Sequence, residues 1–201
     1  MRVNWLISMF LVVVFLTFLN GCSLDNQIKG NGNVVSQERT ASDFYNVILD
    51  GVGDVNIHNA ENYRVTVTTD SNIQDIITIT VNGNNLHIDG KKTNNGFSPT
   101  KLVIDVYLPE IKSIELNGVG NIGIINGKES NLEIKLSGVG NINGQNYEAE
   151  NVSISLSGVG DIRTWATKNL TGSISGVGNV LYKGEPTINV NTNITGNIKK
   201  L

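Results

Sequence analysis

Apolar and polar side chains alternate along most of this chain, and from Ile111 onward no tract of ten residues carries helical spacing. Ile114 and Leu116, then Leu132, Ile134 and Leu136, then Val152, Ile154 and Leu156 keep one phase, with Glu115, Glu133, Lys135, Ser153 and Ser155 in the other. A period of two over runs of this length predicts half-buried strands. Between Val34 and Pro109 the signals are again those of strands: YRVTVTT and KLVIDVYLP alternate, the second stopping at Pro109. ITITVNGNNLHI is two alternating runs around Asn82-Gly83-Asn84 and predicts a hairpin. GKKTNNGFSPT, residues 90–100, reads as a polar loop.

The alternating runs recur. A Gly-Val-Gly-Asn/Asp motif begins at Gly118, Gly138, Gly158 and Gly176, in steps of 20, 20 and 18 residues, with a degenerate copy at 194–198. An earlier copy, Gly51 to Val55, stands 67 residues before Gly118. A unit of this length cannot bury its own apolar side, whereas stacked units bury one another's and add strands to parallel sheets about 4.8 Å apart. The expected core of one unit is Leu132, Ile134, Leu136, Val139 and Ile142, so the valine between the glycines is assigned to the interior. The polar position after the second glycine reads Asp54, Asn121, Asn141, Asp161, Asn179 and Asn197, and stacked copies would join these side chains in a hydrogen-bonded ladder.

Gly118 to Gly123 also matches GxGxxG after a strand, which is how a dinucleotide-binding loop begins. Such a loop needs a helix directly behind it to hold pyrophosphate. Gly123 instead leads into IINGKESNLEIKL, a turn at Asn126-Gly127 and another strand. The glycines are therefore expected to be corners, where backbones pass closely or take positive φ. Calcium-binding solenoids repeat every nine residues with regular Asp. Here the period is 18 to 20, and only Asp54 and Asp161 occupy the polar position.

Residues 1–21 read as an export signal, with Arg2 ahead of an apolar stretch from Trp5 to Leu19 that is short for a membrane span. The ending LNGC resembles a bacterial lipobox, which makes Cys22 the expected site of lipidation and the first mature residue. As the sole cysteine it can form no internal disulfide. Acyl chains on it would hold the protein on a membrane. Residues 22–33 are then expected to be a polar tether, 34–110 an N-terminal β section and 111–201 the solenoid repeats. Without the signal, 14 basic face 18 acidic side chains, a balance that disfavours nucleic acid. The 29 asparagines suit tight corners.

Parallel solenoids host polysaccharide-cleaving enzymes, whose sites need paired carboxylates, or a carboxylate with Arg or Lys, in one groove. The candidates are Asp50 with Asp54, and Asp161 with Arg163, each also readable as a solvated turn residue. His58 and His87 are isolated from other histidines, so neither a metal nor a cofactor is expected. Trp165, the one mature tryptophan, could stack on a sugar or cover a gap in the solenoid wall. Asp161, Arg163 and Trp165 are the candidate surface contacts, for a glycan or a protein.

The pattern VYLPEIKSIELNGVGNI, followed by spaced LSGVG copies after an LNGC lipobox, resembles the family described as "putative auto-transporter adhesin, head GIN domain", a family of unknown function common in Bacteroidetes. The similarity spans roughly residues 38–200, and Leu108-Pro109 and the repeated Gly-Val-Gly-Asn/Asp-Ile/Val are its most specific parts. The resemblance implies a right-handed β-helix-like architecture in two sections and an envelope location, and it carries no catalytic residues. The combined expectation is an all-β, right-handed parallel β-helix-like solenoid with an N-terminal strand and hairpin section. It would be lipid-anchored in the cell envelope, at the outer membrane, and would present a polar surface for adhesion or assembly without catalysis. The alternatives are a carbohydrate-active β-helix enzyme and a periplasm-facing structural or signalling lipoprotein.

Overall fold

The computed structural model describes residues 27–201 except 92, 94, 95 and 194. The expected signal, Cys22 and the first part of the expected tether lie outside the described residues. In chain order the strands are β1 (Ile28–Lys29), β2 (Val34–Arg39), β3 (Asn46–Leu49), β4 (Val52–Asn59), β5 (Arg64–Asp70), β6 (Ile77–Asn82), β7 (Asn85–Gly90), β8 (Phe97–Ser98) and β9 (Leu102–Leu108). The series continues with β10 (Ser113–Leu116), β11 (Val119–Asn126), β12 (Lys128–Leu136), β13 (Val139–Leu156), β14 (Ile162–Ile174), β15 (Gly178–Lys183), β16 (Thr187–Thr192) and β17 (Gly196–Lys200). One 3-10 turn, Gln74–Ile76, is the only helical element among the described residues. The protein is all-β.

The repeat steps are the strand registers. Each Gly-Val-Gly copy joins a strand of one parallel ladder to a strand of a second. In the first ladder Val55, Ile122, Ile142, Ile162 and Val180 stack in register, and in the second Leu49, Leu116, Leu136, Leu156 and Ile174 do so. The long strands β13 and β14 serve both ladders, their first parts pairing in one and their last parts in the other. The change of step from 20 to 18 is absorbed by register shifts between β13 and β14, after Gly144 and after Ala149. The first copy stacks directly on the copy 67 residues later, Val52 opposite Val119 and Asp54 opposite Asn121, so residues 60–112 loop out between stacked neighbours.

That excursion closes one end of the stack and makes the sheet mixed. Strands β7 and β9 continue the two ladders in parallel, and β6, β5 and β2 then add antiparallel. The reversal at β6–β7 results from its two-residue loop, Gly83-Asn84, since parallel strands need a far longer crossover. Among the described residues fifteen strands thus form one sheet, with β1 and β8 as a separate parallel pair.

Residues 28–33 lie against this end. Asp70, wholly buried, accepts from the Gly32 amide at 2.7 Å, the Thr100 amide at 2.7 Å and the Thr100 hydroxyl at 2.8 Å. Burial pushes its carboxyl up, and the Thr100 hydroxyl with the Thr100 and Gly32 amides outweighs that and holds it below the ordinary value.

The inward positions are as the alternation predicts: Leu132, Ile134, Leu136, Val152, Ile154 and Leu156 are all at most 2% exposed. The valine between the glycines is not. Val52, Val119, Val139, Val159 and Val177 are 44–54% exposed and form a stripe along the outside of the stack. The two-residue alternation runs unbroken through the corner, so Val119, three residues from both Leu116 and Ile122, shares neither's face. The glycines occupy the inward phase. A Cβ on Gly120 would meet the carbonyl of Gly53, and one on Gly140 that of Gly120. The second glycine of each corner also takes φ between +138° and +150°.

Candidate functional site

The polar position after the corners forms the expected side-chain ladder from Asp54 to Asn179, on the outer face of the first set of stacked strands. Asn121 donates from its backbone amide and its side-chain Nδ2 to Asp54 Oδ1, at 3.1 and 2.9 Å. Asn141 makes the same pair to Asn121 Oδ1, at 3.3 and 3.1 Å, and Asn179 to Asp161 Oδ1, at 2.8 and 3.1 Å. Asp161 has no amide hydrogens on its side chain, so only its backbone N–H reaches Asn141, at 3.0 Å. A second side-chain ladder, Asn131, Asn151 and Asn169, runs on the second set of stacked strands. These contacts give Asn and Asp a structural use.

Two residues further along each strand stands another outward column: Asp105, Asn56, Gly123, Asn143 and Arg163 on successive strands. Gly123 leaves a dent in it. The resulting open groove, about 380 Å³, is lined by Asp54, Asn56, Asn121, Gly123, Asn141, Asn143 and Arg163 among others. Asn56 spends its Nδ2 on Asp105, at 3.0 Å, and Asn143 spends its Oδ1 on the Gln145 amide, at 3.2 Å. Arg163 enters none of the ion pairs found among the described residues.

Beyond this groove, on the same outer face, His58 stacks on Tyr107 with ring centroids 4.3 Å apart, and the Arg64 guanidinium lies 4.0 Å over the same ring. The His58 Nε2 is 3.5 Å from Asp105. Elsewhere, His87 Nδ1 lies 2.7 Å from Asp50, which also accepts from Asn117, and Asn117 accepts in turn from the Ser137 hydroxyl.

The structure separates the residues singled out by sequence. Asp161 belongs to the ladder, and Arg163 lines the groove. Trp165, half-buried on the same strand, has Lys183 Nζ 3.4 Å from its ring centre. Asp50 and Asp54 fall into different hydrogen-bond networks, one with Asn117 and His87, the other with Asn121. The groove residues Asn56 and Asn143 carry no motif signal, and Gly123 stands out in the sequence only as the last glycine of the GxGxxG match. Counting two residues on from the ladder position in every copy would have put them in one column with Arg163.

The chain matches the family model described as "Putative auto-transporter adhesin, head GIN domain" over residues 43–126 and 116–186. Among solved structures it is similar to "a putative adhesin" from Bacteroides fragilis NCTC 9343, at 25% identity and a TM-score of 0.60, covering 87% of this chain and 100% of that one. A second "putative adhesin", from Parabacteroides merdae ATCC 43184, shares 20% identity with a TM-score of 0.49, over 87% of this chain and 99% of that one. No curated protein matches the chain. With the Gly-Val-Gly corners, their stacked registers and the model match over more than half its length, the chain belongs to the family described as "Putative auto-transporter adhesin, head GIN domain".

Proposed function

We propose that this protein is a lipid-anchored envelope protein, attached through Cys22 at the outer membrane, that presents the outer face of its first ladder for adhesion, without catalysis. Its parallel part is read as a right-handed β-helix-like solenoid serving as a stiff display frame. The observation that carries this reading is the groove around Gly123, where a guanidinium with no ion-pair partner among the described residues and several side-chain amides line an open face built from the most regular part of the stack. Glycoside hydrolysis needs two carboxyl groups facing one sugar ring. The carboxylate lining the groove is Asp54, and both of its bonds from Asn121 fall on one oxygen, which suits holding a ligand. The adhesin family supports the same direction.

The test is protease shaving of intact cells that express the full-length protein, combined with their attachment to host or bacterial surfaces. Expected are loss of the protein on shaving and weaker attachment by an Arg163→Ala strain at equal surface level. Complete protection from protease in intact cells, with release only after envelope disruption, would instead place the protein facing the periplasm and overturn the adhesive reading.

A further inference from the structure

Gly123 is a glycine that the fold does not ask for. At the corners a Cβ would drive into the backbone of the neighbouring strand; at Gly123 the nearest atom to an added Cβ is Asn56 Oδ1, at 4.0 Å. Its φ is not among the positive ones. Neighbouring strands place Asn56 and Asn143 at the same column position, so an asparagine would fit the architecture. What the missing side chain produces is a gap between Asn56 and Asn143, two strand spacings or about 9.6 Å wide.

Unspent polar groups surround that gap. Asn56 turns its Oδ1 toward it, Asn143 retains its Nδ2, and Asp54 retains its Oδ2. Arg163, from the strand beyond Asn143, lines the same groove without an ion-pair partner among the described residues. The set is one planar cationic fork at one side, with donors and acceptors interleaved across the floor.

We propose that this groove binds a single acidic sugar unit, a pyranose ring bearing a carboxylate, within a longer glycan. The inference rests on the adhesive reading of this face and names its ligand class. The carboxylate pairs with the Arg163 fork, a geometry that a guanidinium offers and an ammonium does not. The ring hydroxyls donate to Asp54 Oδ2 and Asn56 Oδ1 and accept from Asn143 Nδ2. Asp54 in the lining disfavours a phosphate dianion by like-charge repulsion, whereas a monoanionic carboxylate held at the Arg163 side leaves Asp54 free to take hydroxyls. The groove is open, so affinity is modest for one unit, falls with added salt, and rises by repetition along a polymer.

The experiment is calorimetric titration of the full-length protein in detergent with four probes: an oligogalacturonide, its methyl ester, sialyllactose and lactose. The two acidic arms separate polyuronide from sialylated sources of the same chemistry. Expected is binding of at least one acidic probe, with its neutral counterpart weaker by roughly tenfold or more, as loss of a charge-assisted pair implies. Arg163→Gln and Gly123→Asn should each lower that affinity to a similar extent, with melting temperatures at or above that of the wild type. No binding of either acidic probe, equal binding of acidic and neutral forms, or full binding by a folded Gly123→Asn variant would overturn the inference. The adhesive reading fails separately: a protein that binds an acidic probe yet resists shaving keeps the ligand and loses the adhesive role, and a shaved, adhesive protein that binds neither acidic probe does the reverse.

Discussion

Gly140 has two independent reasons to lack a side chain, its φ of +138° and the Gly120 carbonyl beneath it, and Gly123 has neither. Gly140→Ala should therefore cost about 1–3 kcal/mol for the backbone alone, and more for the collision, whereas Gly123→Asn should cost nothing measurable in the same thermal melts. The ladder gives a second pair of opposite signs. Asp161→Asn supplies the missing Nδ2 donor to Asn141 and should raise the melting temperature slightly, while Asn141→Asp sets two carboxylates on adjacent strands and should lower it. Asp70 adds a pH dependence. Its folded pKa lies below the ordinary value, so its contribution is complete above an unfolded value of about 3.9 and is lost as pH falls below that through the folded value. Denaturant midpoints measured between pH 6 and 2 should fall with acid in the wild type. Asp70→Asn should start lower at neutral pH and lose less over the acidic part of that range.

At the scale of the element, β12 shows what alternation is worth. Leu136 is buried between Leu116 and Leu156 of the adjoining strands, while Lys135 faces water and pairs with Glu133 at 2.9 Å. Leu136→Asp removes a packed side chain and buries a charge, at a cost of about 4 kcal/mol or more, a large part of a typical total of 5–15 kcal/mol. Lys135→Asp breaks an exposed pair and adds repulsion from Glu115 and Glu133, worth about 1 kcal/mol. Equal melting temperatures for the two variants would contradict the observed register. Among the described residues the last strands of the two ladders, β16 and β17, each pair along one side, and Lys199 and Lys200 on β17 are the kind of charge that guards a strand edge.

For the whole molecule, the contacts of residues 28–33 bear on how the body is held. Ile28 and Lys29 pair with Phe97 and Ser98, and Gly32 is bound by Asp70, so the body begins six residues after Cys22. With Cys22 acylated, the chain between lipid and body spans at most about 21 Å. The end of the stack closed by β2 and β5 then stays near the membrane. Cys22→Ala should leave a fatty-acid analogue unincorporated and the protein largely released from the membrane fraction. Persistent label in that variant would rule out the proposed anchor.

Local periodicity by itself determined a good deal. The side-chain period of two declares strand and face wherever Leu132, Ile134 and Leu136 alternate with Glu133 and Lys135. The recurrence in steps of 20 and 18 declares which residues stack, and with it the Asn/Asp ladder and the crowded glycines. The turn signal at Asn82-Gly83-Asn84 declares an antiparallel pair, which is β6 with β7. The outward valines were also legible in principle, because parity continues through the corner, and their apolar character alone is what points inward. The copy at Gly51 is legible as one more stacking unit; only the tertiary structure decided that it adjoins the one at Gly118, across 67 residues, with the intervening strands folded over one end. Pairing at that separation depends on the packing of two faces and on closing a long loop, and neither leaves a periodic trace in the chain. The groove is legible only in part: counting two residues on from each ladder position aligns Asn56, Gly123, Asn143 and Arg163, but that the row opens into a groove with Asn56 Oδ1 toward the dent at Gly123 is decided by four strands stacked at about 4.8 Å.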